Sequence, residues 1–271
     1  MRIRRLTWAG LEVEADGETA VIDLVEDMTV MEPYVGAPRE PLTGPERPGA
    51  AALALVTHLH SDHTDPAAVE RALGPDGLLL RPARSDGEGL EVAGTAVAEA
   101  ALAAGELDVR EVAPWESVEA GPFRATAVPA VDGFGDPQVS WVLEAGGRRI
   151  LHAGDTIFHG SWWTIAMRHG PFDAAFLPVN GAVVDLPHRR PPSPLPASMT
   201  PGHAAVAAKL LGARVAVPIH YDTLHRAPTY VQVDDPARAF VAEAAARGVD
   251  ARVVPAGGVL DLAELEAQPA A

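Results

Sequence analysis

The chain has 271 residues, of which 21 are Lys or Arg and 37 are Asp or Glu, giving a formal charge of -16 with 48% apolar residues and no cysteine. That apolar content suffices for a sizeable core and excludes a largely disordered chain, while an acidic balance without a basic cluster excludes nucleic acid as a nonspecific partner. Without cysteine there are no disulfides, thiolate metal sites, iron–sulfur clusters or cysteine nucleophiles, so any metal must be held by His and carboxylate.

The basic opening, Met1 to Trp8, runs into strand-like segments at 6–14 and 19–23 separated by Ala15-Asp16-Gly17-Glu18, a hairpin turn signal. Recurrent Pro and Gly from Pro33 to Gly49 predict a surface loop. Ala51 to Thr57 reads as a strand buried on both faces, and Thr64-Asp65-Pro66 opens a helix to about Leu73. A helix at 95–104 and a strand at 122–131 follow, then a hairpin from Val139–Glu144 to Arg148–Ala153 through Gly146-Gly147. Ser161–His169 reads as a helix and Asp173–Val179 as a buried strand, and the proline-rich stretch 186–198 reads as a loop of limited freedom. Thr200-Pro201 starts a helix to Leu211, Arg214–Ile219 is a strand, Asp235-Pro236 starts a helix to Gly248, and 251–262 closes with a strand. Hairpins in the first half and alternating strands and helices in the second predict an α/β sandwich with both antiparallel and parallel pairing. No composition break divides residues 1–271, which read as one domain. The longest apolar run, Ala50–Val56, is far too short for a membrane span, and the expected location is the cytoplasm.

His58-Leu59-His60-Ser61-Asp62-His63 places three imidazoles and a carboxylate within six positions, between a buried strand and a capped helix. In an extended strand His58 and His60 face the same side and can share one ion, while Asp62 and His63, in the turn beyond, can serve a second. Crowded imidazoles repel when protonated, so a metal is a better explanation than a solvated His-rich turn. Gly154-Asp155-Thr156 and His220 each follow a buried strand, so both can converge with the cluster at one sheet edge.

These segments, in this order, resemble the metallo-β-lactamase fold hydrolases. The match is nearest to the branch with L-ascorbate 6-phosphate lactonases and N-acyl-phosphatidylethanolamine phospholipase D-like proteins, in which the last histidine follows a strand like Val217-Pro218-Ile219-His220. The resemblance covers nearly the whole chain, from the hairpin ending at Asp23 to Val253–Gly258. It implies a four-layer αββα sandwich of two mixed sheets with one or two divalent ions, zinc or manganese, at one edge. By the same resemblance His58 and His60 bind one ion, Asp62, His63 and His220 the other, and Asp155 bridges them.

This chain lacks the histidine that the family has upstream of Gly-Asp-Thr, in the stretch corresponding to Val128–Gly133. Asp132 is the natural stand-in, since an up, down, up run of strands brings residues 132 and 155 to the same end of the sheet; the alternative is that Asp132-Gly133 is only a turn. His159 is a fallback ligand. His152 reads as a packed residue. His188 and Arg189 in the proline-rich loop, with His159 and Asn180, are candidate contacts to a substrate bearing an anionic group. The reading is a metal-dependent hydrolase in which a metal-held hydroxide attacks a small ester, lactone or phosphoester, with Asp62 and Asp155 as catalytic carboxylates. A metal-poor relative serving as a binding protein is the alternative, and the oligomeric state is left open.

Overall fold

A computed structural model describes residues 1–267. The strands are β1 (Arg2–Arg5), β2 (Leu11–Ala15), β3 (Glu18–Ile22), β4 (Ala51–Leu55), β5 (Leu73–Arg81), β6 (Asp108–Glu111), β7 (Ser117–Ala120), β8 (Phe123–Pro129), β9 (Val139–Ala145), β10 (Arg148–His152), β11 (Ala174–Pro178), β12 (Val183–Val184), β13 (Val215–Ile219), β14 (Tyr230–Val231) and β15 (Val259–Asp261). The helices are α1 (Glu32–Val35), α2 (Pro66–Ala72), α3 (Ala96–Ala104), α4 (Trp162–His169), α5 (Pro201–Leu211) and α6 (Pro236–Ala245).

The strands form two large sheets, in the orders β15-β1-β2-β3-β4-β5-β6 and β13-β11-β10-β9-β8-β7, plus the small pair β12-β14. Both large sheets are mixed. In the first, β1 to β3 pair antiparallel and β3 to β6 parallel; in the second, β7 to β10 pair antiparallel while β10, β11 and β13 are parallel. Side chains alternate across each strand, and that alternation builds the layers. Ile22, Leu53 and Leu80 of the first sheet meet Phe123, Trp141, Phe176 and Val217 of the second. Their neighbours Val21, Ala54 and Leu79 point outward onto Val69 of α2 and Leu102 of α3. Val142, Leu151 and Ala175 point outward onto Trp162 of α4, Ala208 of α5 and Phe240 of α6. Helices therefore cover both outer faces, the four-layer αββα arrangement.

Asp16 and Gly17, with φ of 51° and 84°, supply the two left-handed residues that the β2–β3 hairpin needs. Asp65 caps α2 by accepting the Ala68 amide at 3.0 Å, and Thr200 caps α5 by accepting that of His203. The strand expected at 6–14 is broken: Leu6 to Gly10 is a turn with Trp8 at φ 62°, and the basic segment Arg2–Arg5 is a separate strand. β5, β6 and β7 were not foreseen, because Pro75-Asp76-Gly77 reads as a turn and Asp108–Glu111 and Ser117–Ala120 are polar; their pairing is decided by neighbouring strands. The closing strand expected over 251–262 is reduced to Val259–Asp261 against β1, with Ala251 making only a bridge to Ala216 of the other sheet, since Pro255, Gly257 and Gly258 interrupt it. Of the domain expected over 1–271, residues 268–271 lie outside the described residues. Among the described residues no helix is long and apolar enough to cross a membrane.

Trp141 lies fully buried between the sheets, its indole N–H donating to the Val56 carbonyl at 3.0 Å. Trp141→Ala is expected to cost about 3–5 kcal/mol, read as a lower urea midpoint.

Candidate metal centre

The site forms where four strands end. β4 stops at Leu55, and the chain then curls so tightly that the amides of His63 and Thr64 both donate to the His60 carbonyl at 2.9 Å. His58 and His60 therefore sit in a loop and not, as expected, in extended strand, yet their rings still meet edge to face with centroids 4.4 Å apart. After β10, Gly154 takes φ 67°, and a Cβ there would stand 2.8 Å from Thr57 Oγ1, so glycine is required both for the turn and for the approach of Asp155 to the histidine loop. Thr156 Oγ1 accepts the Val131 amide at 2.9 Å and donates to its carbonyl at 3.1 Å, which ties the end of β8 to Asp155 and brings Asp132 alongside. His220 follows β13 with φ 58°.

Seven side chains are brought together in this way. Asp155 Oδ1 lies 3.7 Å from His58 Nε2, while its Oδ2 lies 4.0 Å from His63 Nε2 and 3.9 Å from His220 Nε2. Asp62 Oδ2 is 3.7 Å from His63 Nε2 and 3.6 Å from His220 Nε2, and Asp132 Oδ2 is 3.9 Å from His60 Nδ1. His58, His60, Asp132 and Asp155 form one set able to hold an ion, and His63, Asp155 and His220 another, with Asp62 beside His58 and His63. The buried atoms His58 Nε2, His63 Nε2, His220 Nε2 and Asp132 Oδ2 have no hydrogen-bond partner. Buried polar atoms are normally satisfied, so this set of converging lone pairs fits a divalent cation with bonds of about 2 Å.

Neighbouring groups decide which ring nitrogen faces inward. His63 Nδ1 is bonded to Asp23 Oδ2 at 2.8 Å, and Asp23 also accepts the Thr57 amide and hydroxyl, each at 2.8 Å. His58 Nδ1 meets Thr57 Oγ1 at 3.1 Å, and His60 Nε2 meets Asp136 Oδ2 at 2.9 Å. Each partner takes the ring N–H, leaving the opposite nitrogen as a donor to metal. Trp8 Nε1 donates to Asp62 Oδ2 at 3.1 Å, and Gln138 Nε2 donates to Asp155 Oδ1 at 2.6 Å. Asp23→Asn would turn one oxygen of a carboxylate that accepts from three groups into an amide donor, and it is expected to weaken metal binding about 10–100-fold in a chelator competition titration.

Burial lowers His58 well below the usual imidazole range, helped by His63 and His60, and lowers His220 to about 4. At His60 burial is outweighed by the bond to Asp136 and by Asp132 and Asp62, leaving it at about 9; at His63 it is outweighed by Asp62 and Asp23, leaving it at about 10. Burial raises Asp155, opposed by His63 and reinforced by Asp132 and Asp62. Carboxylates this close together require positive charge between them, which two protonated imidazoles or divalent ions supply.

The site opens into a cavity of about 350 Å³ whose walls include His60, Asp62, Asp155 and His220. The proline-rich loop covers it, as its connection between β11 and α5 requires: Leu186, His188, Arg189, Ala197 and Ser198 all line the same space. His159 and Asn180 are not brought into that lining. The His159 ring stacks on Trp162 at 4.5 Å and its Nδ1 accepts the Ser161 amide, so the short loop after Thr156 folds it back onto α4. Asn180 is fully buried behind the wall, donating to the Tyr230 hydroxyl at 2.7 Å and accepting from Ser198, two residues that do face the cavity. His152 is a packed residue, with Nε2 2.7 Å from the Ala9 carbonyl. Trp8, Asp136, Gln138 and Tyr230 escaped the sequence reading: Trp8 and Tyr230 lie far along the chain from the side chains they reach, and Asp136 and Gln138, although close to Asp132, belong to no spacing that marks a ligand.

A mixed two-sheet sandwich with clustered His and Asp side chains at one edge is the form of a metal-dependent hydrolase of the metallo-β-lactamase fold. The chain belongs to the beta-lactamase superfamily, whose domain description matches residues 19–221. A UPF0173 metal-dependent hydrolase from Deinococcus radiodurans is 30% identical over 239 residues, spanning 86% of this chain and 91% of that protein. Among solved structures, Igni18, a metallo hydrolase from Ignicoccus hospitalis, is similar with a TM-score of 0.65 and 19% identity over 96% of this chain and 97% of that one. CmlA, a diiron β-hydroxylase from Streptomyces venezuelae, has a TM-score of 0.72 and 18% identity over 96% of this chain and 53% of that one. At these identities the two structures speak for the fold alone.

Proposed function

We propose that the chain hydrolyses an ester, lactone or phosphoester with two divalent ions, zinc or manganese, one held by His58, His60 and Asp132 and the other by Asp62, His63 and His220. Asp155 would serve both sites. The observation that carries this reading is the division of the Asp155 carboxylate, whose Oδ1 faces His58 while Oδ2 faces His63 and His220. Bound divalent ions lower the pKa of water from 15.7 toward about 7 and polarise the attacked oxygen.

The chain's own residues supply orientation and proton control. Asp62, held by the Trp8 indole, keeps an acceptor oxygen at the inner end of the cavity, where it can orient the attacking water. Gln138 holds Asp155, and Asp23 and Asp136 set the tautomers of His63 and His60. His188 and Arg189 line the same cavity, where they can meet negative charge on the substrate.

A screen of carboxylic esters, lactones and phosphodiesters with zinc- or manganese-loaded protein tests the proposal. Metal-dependent turnover of one class, lost on chelation and restored by readdition, is expected, with about two ions per chain by elemental analysis. A chain that retains no metal and turns over none of the three would overturn it in favour of a binding role. Added metal should also raise the melting temperature, with a stabilisation of about 2.7 kcal/mol at a hundredfold excess over Kd.

A further inference from the structure

The polar side of the cavity is absorbed by the proposed function, but most of its wall is not. Met31 and Tyr34 at α1, Leu90 and Val97 flanking the start of α3, Phe134 after β8 and Leu186 in the proline-rich loop give the cavity an apolar lining beside the His and Asp cluster. Several of these side chains are left open to solvent: Leu90 is 68% exposed, Val97 51% and Tyr34 46%. The six come from separate elements and line one cavity; Met31, Phe134 and Leu186 also pack against the core, whereas Tyr34, Leu90 and Val97 belong to no core cluster. Scattered exposed apolar residues need no explanation, whereas a contiguous set lining a cavity beside polar groups marks a ligand surface.

Two of the three Arg189 nitrogens are engaged by the wall itself. Arg189 donates to Asp136 Oδ2 at 3.3 Å and to the Phe134 carbonyl at 3.2 Å, and its guanidinium lies over the Phe134 ring at 5.6 Å. Asp136 in turn holds His60. Arg189 is thus a part of the wall that ties the Phe134 loop to the ligand cluster, and the surface beyond it toward Leu90 and Tyr34 offers little besides apolar contact.

We infer that the substrate is an ester whose acyl part is a medium-length apolar chain, seated along Met31, Tyr34, Leu90, Val97, Phe134 and Leu186 with its carbonyl at the His and Asp cluster. This rests on the hydrolase reading above and names its substrate class. The cavity volume of about 350 Å³ falls at the small end of ligand pockets, which suits a single chain and not a two-tailed lipid.

The test uses metal-loaded protein with p-nitrophenyl acetate, butyrate, hexanoate and octanoate. Each buried methylene is worth about fourfold, and the mouth is partly open, so kcat/KM is expected to rise at least about tenfold from acetate to octanoate, mainly through a lower KM. Leu90→Asp and Val97→Asp, both at exposed positions where folding tolerates a charge, should flatten that rise. A second readout is independent of turnover: displacement of anilinonaphthalene sulfonate from the same protein by 1-octanol but not by 1-butanol, lost in Leu90→Asp. Ester hydrolysis with a flat or falling chain-length profile would overturn the inference and leave the hydrolase reading intact. Octanol displacement that Leu90→Asp abolishes, with no ester turned over, would keep the apolar seat but overturn the ester assignment, leaving the hydrolase reading to the lactone and phosphodiester arms of the screen. Neither turnover nor displacement would overturn the inference, and a chain that also retains no metal and leaves lactones and phosphodiesters intact would lose the hydrolase reading as well.

Discussion

Asp155→Ala is expected to abolish turnover, by at least about a thousandfold in kcat/KM, and to strip the protein of both ions in elemental analysis. The expectation follows from geometry: its two oxygens face different imidazole sets, whereas Asp62, which also lies beside His58 and His63, meets His63 and His220 through the single oxygen Oδ2. Removing it also leaves the Gln138 amide without its short bond. The fold should survive, because Asp155 lies in a loop at the sheet edge, outside the apolar clusters that hold the layers together. Circular dichroism unchanged from the parent alongside the lost activity separates a site defect from unfolding. Retention of both ions by the Asp155→Ala protein would remove the bridging role.

A second large effect is expected at Asp132, which is both a turn residue and a candidate ligand. Its Oδ1 accepts the amides of Phe134 at 2.7 Å and Asp136 at 3.1 Å, the Asx-type bonding of an Asp-Gly turn, while its buried Oδ2 has no partner and faces His60. The two sequence readings, turn or ligand, therefore apply to different oxygens of one carboxylate. A carboxylate in place of an imidazole adds negative charge and a harder donor, shifting preference toward manganese and away from zinc. Asp132→Asn should keep the turn through its remaining carbonyl oxygen and lose the first ion. Asp132→His should raise zinc retention relative to manganese while loosening the 132–136 turn, and Asp132→Ala should lose the first ion and keep the second. Metal content and the zinc-to-manganese affinity ratio, measured by competition titration, check all three; an unchanged ratio in Asp132→His would sink the ligand role.

The supporting residues were far less legible than the proposed ligands themselves. The ligands announce themselves through residue type and local spacing, because metal chemistry demands His and Asp and because strand ends place them. The partners that orient them carry no such signature. Trp8 reaches Asp62 across 54 positions, Asp23 reaches His63 across 40, and Asp136 reaches His60 across 76. Trp8 does so through a left-handed turn inside what reads as one continuous strand. His159 shows the converse: its closeness in sequence to Asp155 made it a candidate, and stacking on Trp162 turned it elsewhere.

Chemistry and local form were legible in the chain before any folding was considered. The residue pattern established that any metal would be bound by His and carboxylate, that the buried runs 51–57, 173–179 and 214–219 would be strands delivering their end residues to one edge, and that Pro-initiated helices would begin near 65, 200 and 235. Periodicity and capping act over a few residues and can be read there. Long-range packing decided the polar strands β1, β6 and β7, the tautomer-setting contacts of Asp23 and Asp136, and the apolar cavity assembled from α1, the start of α3 and the proline-rich loop. Those features depend on pairing and packing between segments distant in the chain, where the favourable contact is made with a neighbour in space and leaves no mark on local spacing.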